Sequence, residues 1–234
     1  MWYQLAPLIK QEGYIFIVSA QPATKNQFAS KILLGSNSQL TLYSINEFAP
    51  TVESYRTSLE ISLQKGSTLN YSAFTTHAPR IFESLIRFHG SKDTTINYNA
   101  HFCNTNYYTT HHQWILSKNS RINISLSGIV GAQSTVELND EFICTNSNGE
   151  IHFKTDILKI SPLAHVMVRP IISIDSTASY NENINITHFK KEYFNYLSRL
   201  GFEKEEILDL LMYSYLEPIK FLRGSDLCSQ FLIL

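Results

Sequence analysis

Hydrophobic and polar residues alternate in short runs over most of the chain. Gln39-Leu-Thr-Leu-Tyr43, Ser58-Leu-Glu-Ile-Ser-Leu63, Arg121-Ile-Asn-Ile-Ser-Leu126 and Glu150-Ile-His-Phe153 place apolar side chains at every second position. A period of two gives a strand one buried face and one wet face. Gly35-Ser-Asn37, Lys65-Gly66, Gly90-Ser91 and Asn146-Ser-Asn-Gly149 punctuate the runs, with residue types that suit turns. From about residue 12 to about residue 176 the pattern predicts strand after strand, roughly five or six residues each, with no capped helix between them. A body of many short strands fits a sandwich, a barrel or a solenoid. A solenoid is favoured, because Asn is abundant beside the turns and tolerates the left-handed conformation that coil corners demand. Hairpin signals between matched strands are also scarce. No clean repeat period is legible.

The period changes near Thr187. Phe189, Tyr193, Leu197 and Leu200 recur at helical spacing, with Thr187 as N-cap and Gly201 as the residue just past the C-terminal end. A second helix is expected from Glu203 to about Leu216, with Glu203, Glu205 and Glu206 in its first turn and Pro218 beyond its end. Ile207, Leu208, Leu211 and Tyr215 form its apolar stripe. The expectation is a mostly β body over residues 1–180 and a small α-helical hairpin domain over residues 181–234.

Composition narrows the class. Hydrophobic residues make up 44% and charged residues 17% of the 234 positions, which excludes a disordered chain. The formal charge is -1 and no Lys/Arg cluster stands out, so no nucleic-acid partner is expected. Cys103, Cys144 and Cys228 are scattered, which fits neither a disulfide framework nor a Cys-x-x-Cys zinc site and suits a reducing compartment. The apolar run Tyr14-Ile-Phe-Ile-Val18 is too short to cross a membrane. No basic region precedes an apolar leader. The expected location is the cytoplasm, with no membrane partner.

Few residues look chemical. His111 and His112 are adjacent, so on a strand they point to opposite faces and cannot share a metal. His101 and Cys103 would share a face, but two ligands do not complete a site. Asp93, Asp140, Glu141 and Glu150 fall near expected turns, where carboxylates are solvated, and nothing makes them converge. The chain has no nucleophile elbow, no phosphate-cradling Gly-rich loop and no His-Glu-x-x-His. The reading is therefore not an enzyme: no catalytic residue and no resident metal are expected, and no cofactor-binding residue is assigned. Tyr213 and Tyr215 cannot both face a hairpin core.

Tyr196-Leu-Ser-Arg-Leu-Gly-Phe202, followed by Glu-Lys-Glu-Glu-Ile-Leu-Asp-Leu-Leu211, resembles the C-terminal signature of the SufB/SufD family of iron–sulfur cluster assembly scaffolds. Arg169-Pro-Ile-Ile-Ser-Ile-Asp175 looks like that family's last body strand, and Ser127-Gly-Ile-Val130 resembles one of its rungs. The likeness runs over roughly residues 30–217 in order and is closer to SufD. It implies a right-handed parallel β-helix with a C-terminal helical domain. It also implies pairing with a SufB-type scaffold and docking of a SufC-type ABC ATPase through Tyr196, Arg199, Gly201, Phe202, Leu211 and Tyr215. Iron or a cluster would pass through such a complex only transiently. The chain departs from the family at Ser179-Tyr-Asn-Glu-Asn-Ile184, where members carry a Ser-His-Gly-Ala-like motif. It is also shorter than typical members. The rival readings are a carbohydrate-active β-helix enzyme, which would need a row of carboxylates or basic residues on one face, and a purely structural β-solenoid.

Overall fold

A computed structural model describes residues 2–5, 10–19, 26–48, 52–76, 80–103, 106–131, 133–144, 148–189, 191–203, 206–207 and 210. The chain separates into two compact units, Met1–Thr187 and His188–Leu234.

The first unit is a β-solenoid of two parallel sheets. One sheet holds, in spatial order, β1 (Trp2–Leu5), β3 (Asn26–Leu34), β5 (Ser54–Leu63), β7 (Ile81–Gly90), β9 (Tyr107–Leu116), β11 (Thr135–Cys144) and β13 (His165–Ile174). The other holds β2 (Lys10–Ser19), β4 (Gln39–Phe48), β6 (Thr68–Thr76), β8 (Thr95–Cys103), β10 (Arg121–Val130), β12 (Glu150–Lys159) and β14 (Ser179–His188). Each strand pairs with the one a coil away, so like residues stack into columns. Ile32, Ile61, Phe88, Trp114 and Phe142 form one inward column. Leu40, Leu69, Ile96, Ile122 and Ile151 form its counterpart on the other sheet. All ten are buried, and this stacked apolar interior supplies the main folding force. Outward columns carry exposed ion pairs between rungs, such as Lys31–Glu60 at 2.8 Å and Arg121–Glu150 at 2.6 Å, each contributing little.

The corners share one device. Asn37, Gly66, Asp93, Asn119 and Gln133 all have positive φ, between 56° and 71°. Ser38, Ser67 and Thr94, each the next residue, donate their hydroxyls back to the carbonyls of Gly35, Gln64 and Ser91. The corners also stack on one another: the Asn37, Gly66 and Asp93 amides donate to the carbonyls of Lys65, Lys92 and Lys118. Lys65-Gly-Ser67, Lys92-Asp-Thr94 and Lys118-Asn-Ser120 are thus one motif repeated. Its period drifts between 26 and 29 residues, which conceals it from a search for a fixed repeat.

Strands β3 to β14 run 9 or 10 residues, not the five or six expected. The reason is inside the coil. In β4 the inward positions are Leu40, Leu42, Ser44, Asn46 and Phe48, all buried. The apolar alternation stops at Ser44 although the strand does not.

Gly128 on β10 faces inward, and a Cβ there would overlap the buried Phe102 ring. Gly128→Ala is expected to cost about 1–3 kcal/mol through overpacking, read as a lower urea midpoint with an unchanged slope. An unshifted midpoint would show that Phe102 has room to move.

The body also ends later than expected. The boundary placed at residue 180 falls inside β14 (Ser179–His188), which continues the second sheet. Arg169–Asp175 is therefore not the last body strand, Ser179–Ile184 lies within a strand, and Thr187 is strand rather than N-cap. Ser179 donates its amide to the Gly149 carbonyl as part of that pairing.

In the second unit, α1 spans Lys191–Arg199. It closes as a Schellman turn: Phe202 N–H bonds to Leu197 O, Gly201 N–H bonds to Ser198 O, and Gly201 has φ +94°. The role expected of Gly201 holds. A new helical turn starts at Glu203. Its carbonyl accepts from Ile207 N–H, and the Glu206 carboxylate accepts from its amide at 2.7 Å, one half of a capping box. Glu206, Ile207 and Leu210 are helical. The remainder of the expected second helix, with Leu211, Tyr213 and Tyr215, lies outside the described residues. Among the described residues no helix is long and apolar enough to cross a membrane.

Candidate functional site

The least ordinary chemistry is inside the solenoid. Strands β9 and β11 pair His112 with Asp140 in register. His112 Nδ1 lies 3.0 Å from Asp140 Oδ1, and Trp114 Nε1 donates to the same oxygen at 2.9 Å. The His112 and Asp140 side chains are fully buried. An indole only donates, so Oδ1 accepts from Trp114; an ionised Asp140 has no proton to give, so the contact with His112 is made by an Nδ1–H donor. Nε2 is then left facing Ser84 Oγ on β7, 3.2 Å away. The second Asp140 oxygen has no partner among the described residues. Tyr98 packs edge-on to His112 and against Trp114. Burial, with neighbouring phenols and the Asp140 carboxylate adding to it, pushes the Tyr98 phenol well up.

Ser84, His112 and Asp140 have the connectivity of nucleophile, base and orienting acid. Access decides what they can do. Ser84 opens on a cavity of about 30 Å³ lined by β3 to β9, room for roughly two water molecules. An acyl substrate does not fit there. The arrangement acts as a polar brace across three successive rungs of one sheet.

Asp140 is not at the solvated turn expected of it: it sits mid-strand and is 1% exposed. The parity of Val136-Glu-Leu-Asn-Asp-Glu-Phe142 carried the signal, because Asp140 takes an inward slot between Leu138 and Phe142. Asp93 is at a corner and Glu150 opens β12, as expected, while Glu141 faces outward and accepts from Gln113. The four do not converge. His111 and His112 do point to opposite faces, one exposed and one buried. His101 and Cys103 both lie on β8, and the Cys103 side chain is outside the described residues. Cys144 is buried at the end of β11. Among the described residues no three or more His, Cys, Asp or Glu form a metal-ligand set.

His101 stacks on Phe74 and bonds through Nδ1 to Ser127 Oγ. Burial lowers its pKa to about 4, against about 6.5 for an unfolded His. Between those values the unfolded chain binds a proton that the folded chain refuses. Stability should therefore fall as pH drops from about 6.5 to about 4, by roughly 3 kcal/mol in all, and then level off. His101→Gln should flatten that part of the stability–pH curve. An identical slope in the variant would assign the effect to other groups.

Two exposed apolar features remain. Strands β13 and β14 stand at the ends of their sheets and expose Ile171, Ile172, Ile184 and Ile186. At the end of α1, Tyr196 is 62%, Leu200 58% and Phe202 39% exposed. Tyr196 and Leu200 are one turn apart and share a helix face, and Arg199 beside them is exposed too. These include the expected partner-facing residues Tyr196, Arg199 and Phe202. Leu211 and Tyr215 are not among the described residues. No protein-family model matches the chain, and no curated protein matches it.

Proposed function

We propose that the chain is a SufD-like scaffold subunit of an iron–sulfur cluster assembly complex. In this reading the solenoid winds right-handed and pairs with a SufB-type scaffold. Residues 203–216 complete a helical hairpin with α1, and that hairpin docks a SufC-type ATPase in the cytoplasm. One observation carries the reading: Tyr196-Leu-Ser-Arg-Leu-Gly-Phe202 is a closed helix-end turn that presents Tyr196, Leu200 and Phe202 to solvent. Aromatic and Arg side chains grouped this way are the residue types that anchor protein interfaces. The exposed rung of β13 and β14 supports the scaffold pairing, because an open sheet end with apolar side chains accepts a further strand. ATP chemistry belongs to the partner, whose dimerisation would move two docked scaffolds against each other. Iron or a nascent cluster is cargo of that complex.

Tyr196→Ala together with Phe202→Ala should weaken ATPase binding by ~30-fold or more, the effect of losing even one interface hot spot of about 2 kcal/mol. Both residues are exposed, so the thermal melt of the chain alone should not move. Wild-type affinity in the double variant, measured by calorimetry, would rule the turn out as the docking site.

A further inference from the structure

We infer that the cavity inside the solenoid is an internal water site anchored by Asn46. Asn46 is inward on β4 and 5% exposed. Its Nδ2 donates to Thr75 Oγ1 at 3.3 Å, while its Oδ1 has no partner among the described residues. Turning the amide over does not remove the problem. The Thr75 hydroxyl could then donate to Oδ1, but Nδ2 would be stranded instead. One amide atom of a buried side chain needs a partner that this contact cannot supply, and buried amides seldom go unpaired.

The cavity beside Asn46 has the chemistry to hold that partner. Ser44, Thr57, Ser84, Tyr71 and Tyr98 line it, and among the described residues no lining side chain carries a charge. Burial pushes the Tyr71 and Tyr98 phenols up, so both stay protonated and neutral. An uncharged ring of hydroxyls suits a small neutral molecule that both donates and accepts. At about 30 Å³ the space admits roughly two waters and little else, and a water needs two to four polar partners, which this wall provides.

The water also completes the brace. With its proton on Nδ1, His112 accepts a hydrogen bond from the Ser84 hydroxyl at Nε2, which leaves the Ser84 lone pairs to accept from the cavity. A continuous chain then runs from water through Ser84 and His112 to Asp140, linking the interior of the early coils to the middle rungs. The inference stands independently of the scaffold role.

High-resolution crystals of the intact chain test it, with and without xenon pressure. The expected result is discrete density within hydrogen-bonding distance of the Asn46 amide and of at least one lining hydroxyl, with no xenon there. In Asn46→Leu that density should be lost. An empty cavity that takes up xenon would overturn the inference. So would continuous density too large for water, or the same water persisting in Asn46→Leu. If the variant does not fold, the wild-type crystals alone decide, since a dry or xenon-filled cavity is sufficient to refute it.

Discussion

Asp140→Ala should lower the stability of the chain by about 3–5 kcal/mol, the cost of stranding two buried donors at about 1–3 kcal/mol each. Folded domains are stable by only about 5–15 kcal/mol, so this single change should bring the solenoid close to its unfolding threshold. The cause is local. Asp140 Oδ1 is the acceptor for both His112 Nδ1 and Trp114 Nε1, and alanine strands two buried donors at once. Asp140→Asn keeps a carbonyl oxygen in place and should cost clearly less. Exchanging both partners, His112→Leu with Asp140→Leu, removes the His112 donor along with its acceptor and should recover part of the loss, because a buried polar pair is replaced by packed apolar atoms. Urea titration of the four proteins checks the order. A loss below about 1 kcal/mol for Asp140→Ala would mean the pair is solvated and weak, contrary to its burial.

The same residues explain how much of the fold was legible. Alternation located β4, β5, β10 and β12 and gave their faces correctly, because Leu40, Ile61, Ile122 and Ile151 are inward and apolar. It failed where the interior turns polar. Ser44, Asn46, Thr75, Ser84, His112 and Asp140 are inward and buried, yet each reads as a surface residue when hydrophobicity is the only guide. Strand ends and the candidate site were lost together, since they are the same positions. Register was the missing information: the 28-residue offset from His112 to Asp140 means nothing until adjacent rungs are known to pair in parallel. The helix end was readable because its signals are local. Gly201, a residue with no Cβ, marks the positive-φ stop wherever the helix happens to begin, whereas Thr187 could not be placed in β14 without its partner strand.

Removal of everything after His188 should abolish ATPase docking while leaving the body folded. The division of the chain after Thr187 and the pairing of β14 through His188 put that cut beyond the last rung. Circular dichroism of the truncated chain should therefore keep its strand signal. The helical unit, with the exposed Tyr196, Arg199, Leu200 and Phe202, goes as a whole, so the expected effect on binding is total rather than graded. The deciding measurement is co-purification of a SufC-type ATPase with the intact chain and with the chain ending at His188. The account predicts retention by the intact chain and none by the truncated one. Failure of the intact chain to retain the ATPase, or equal retention by both, would contradict it.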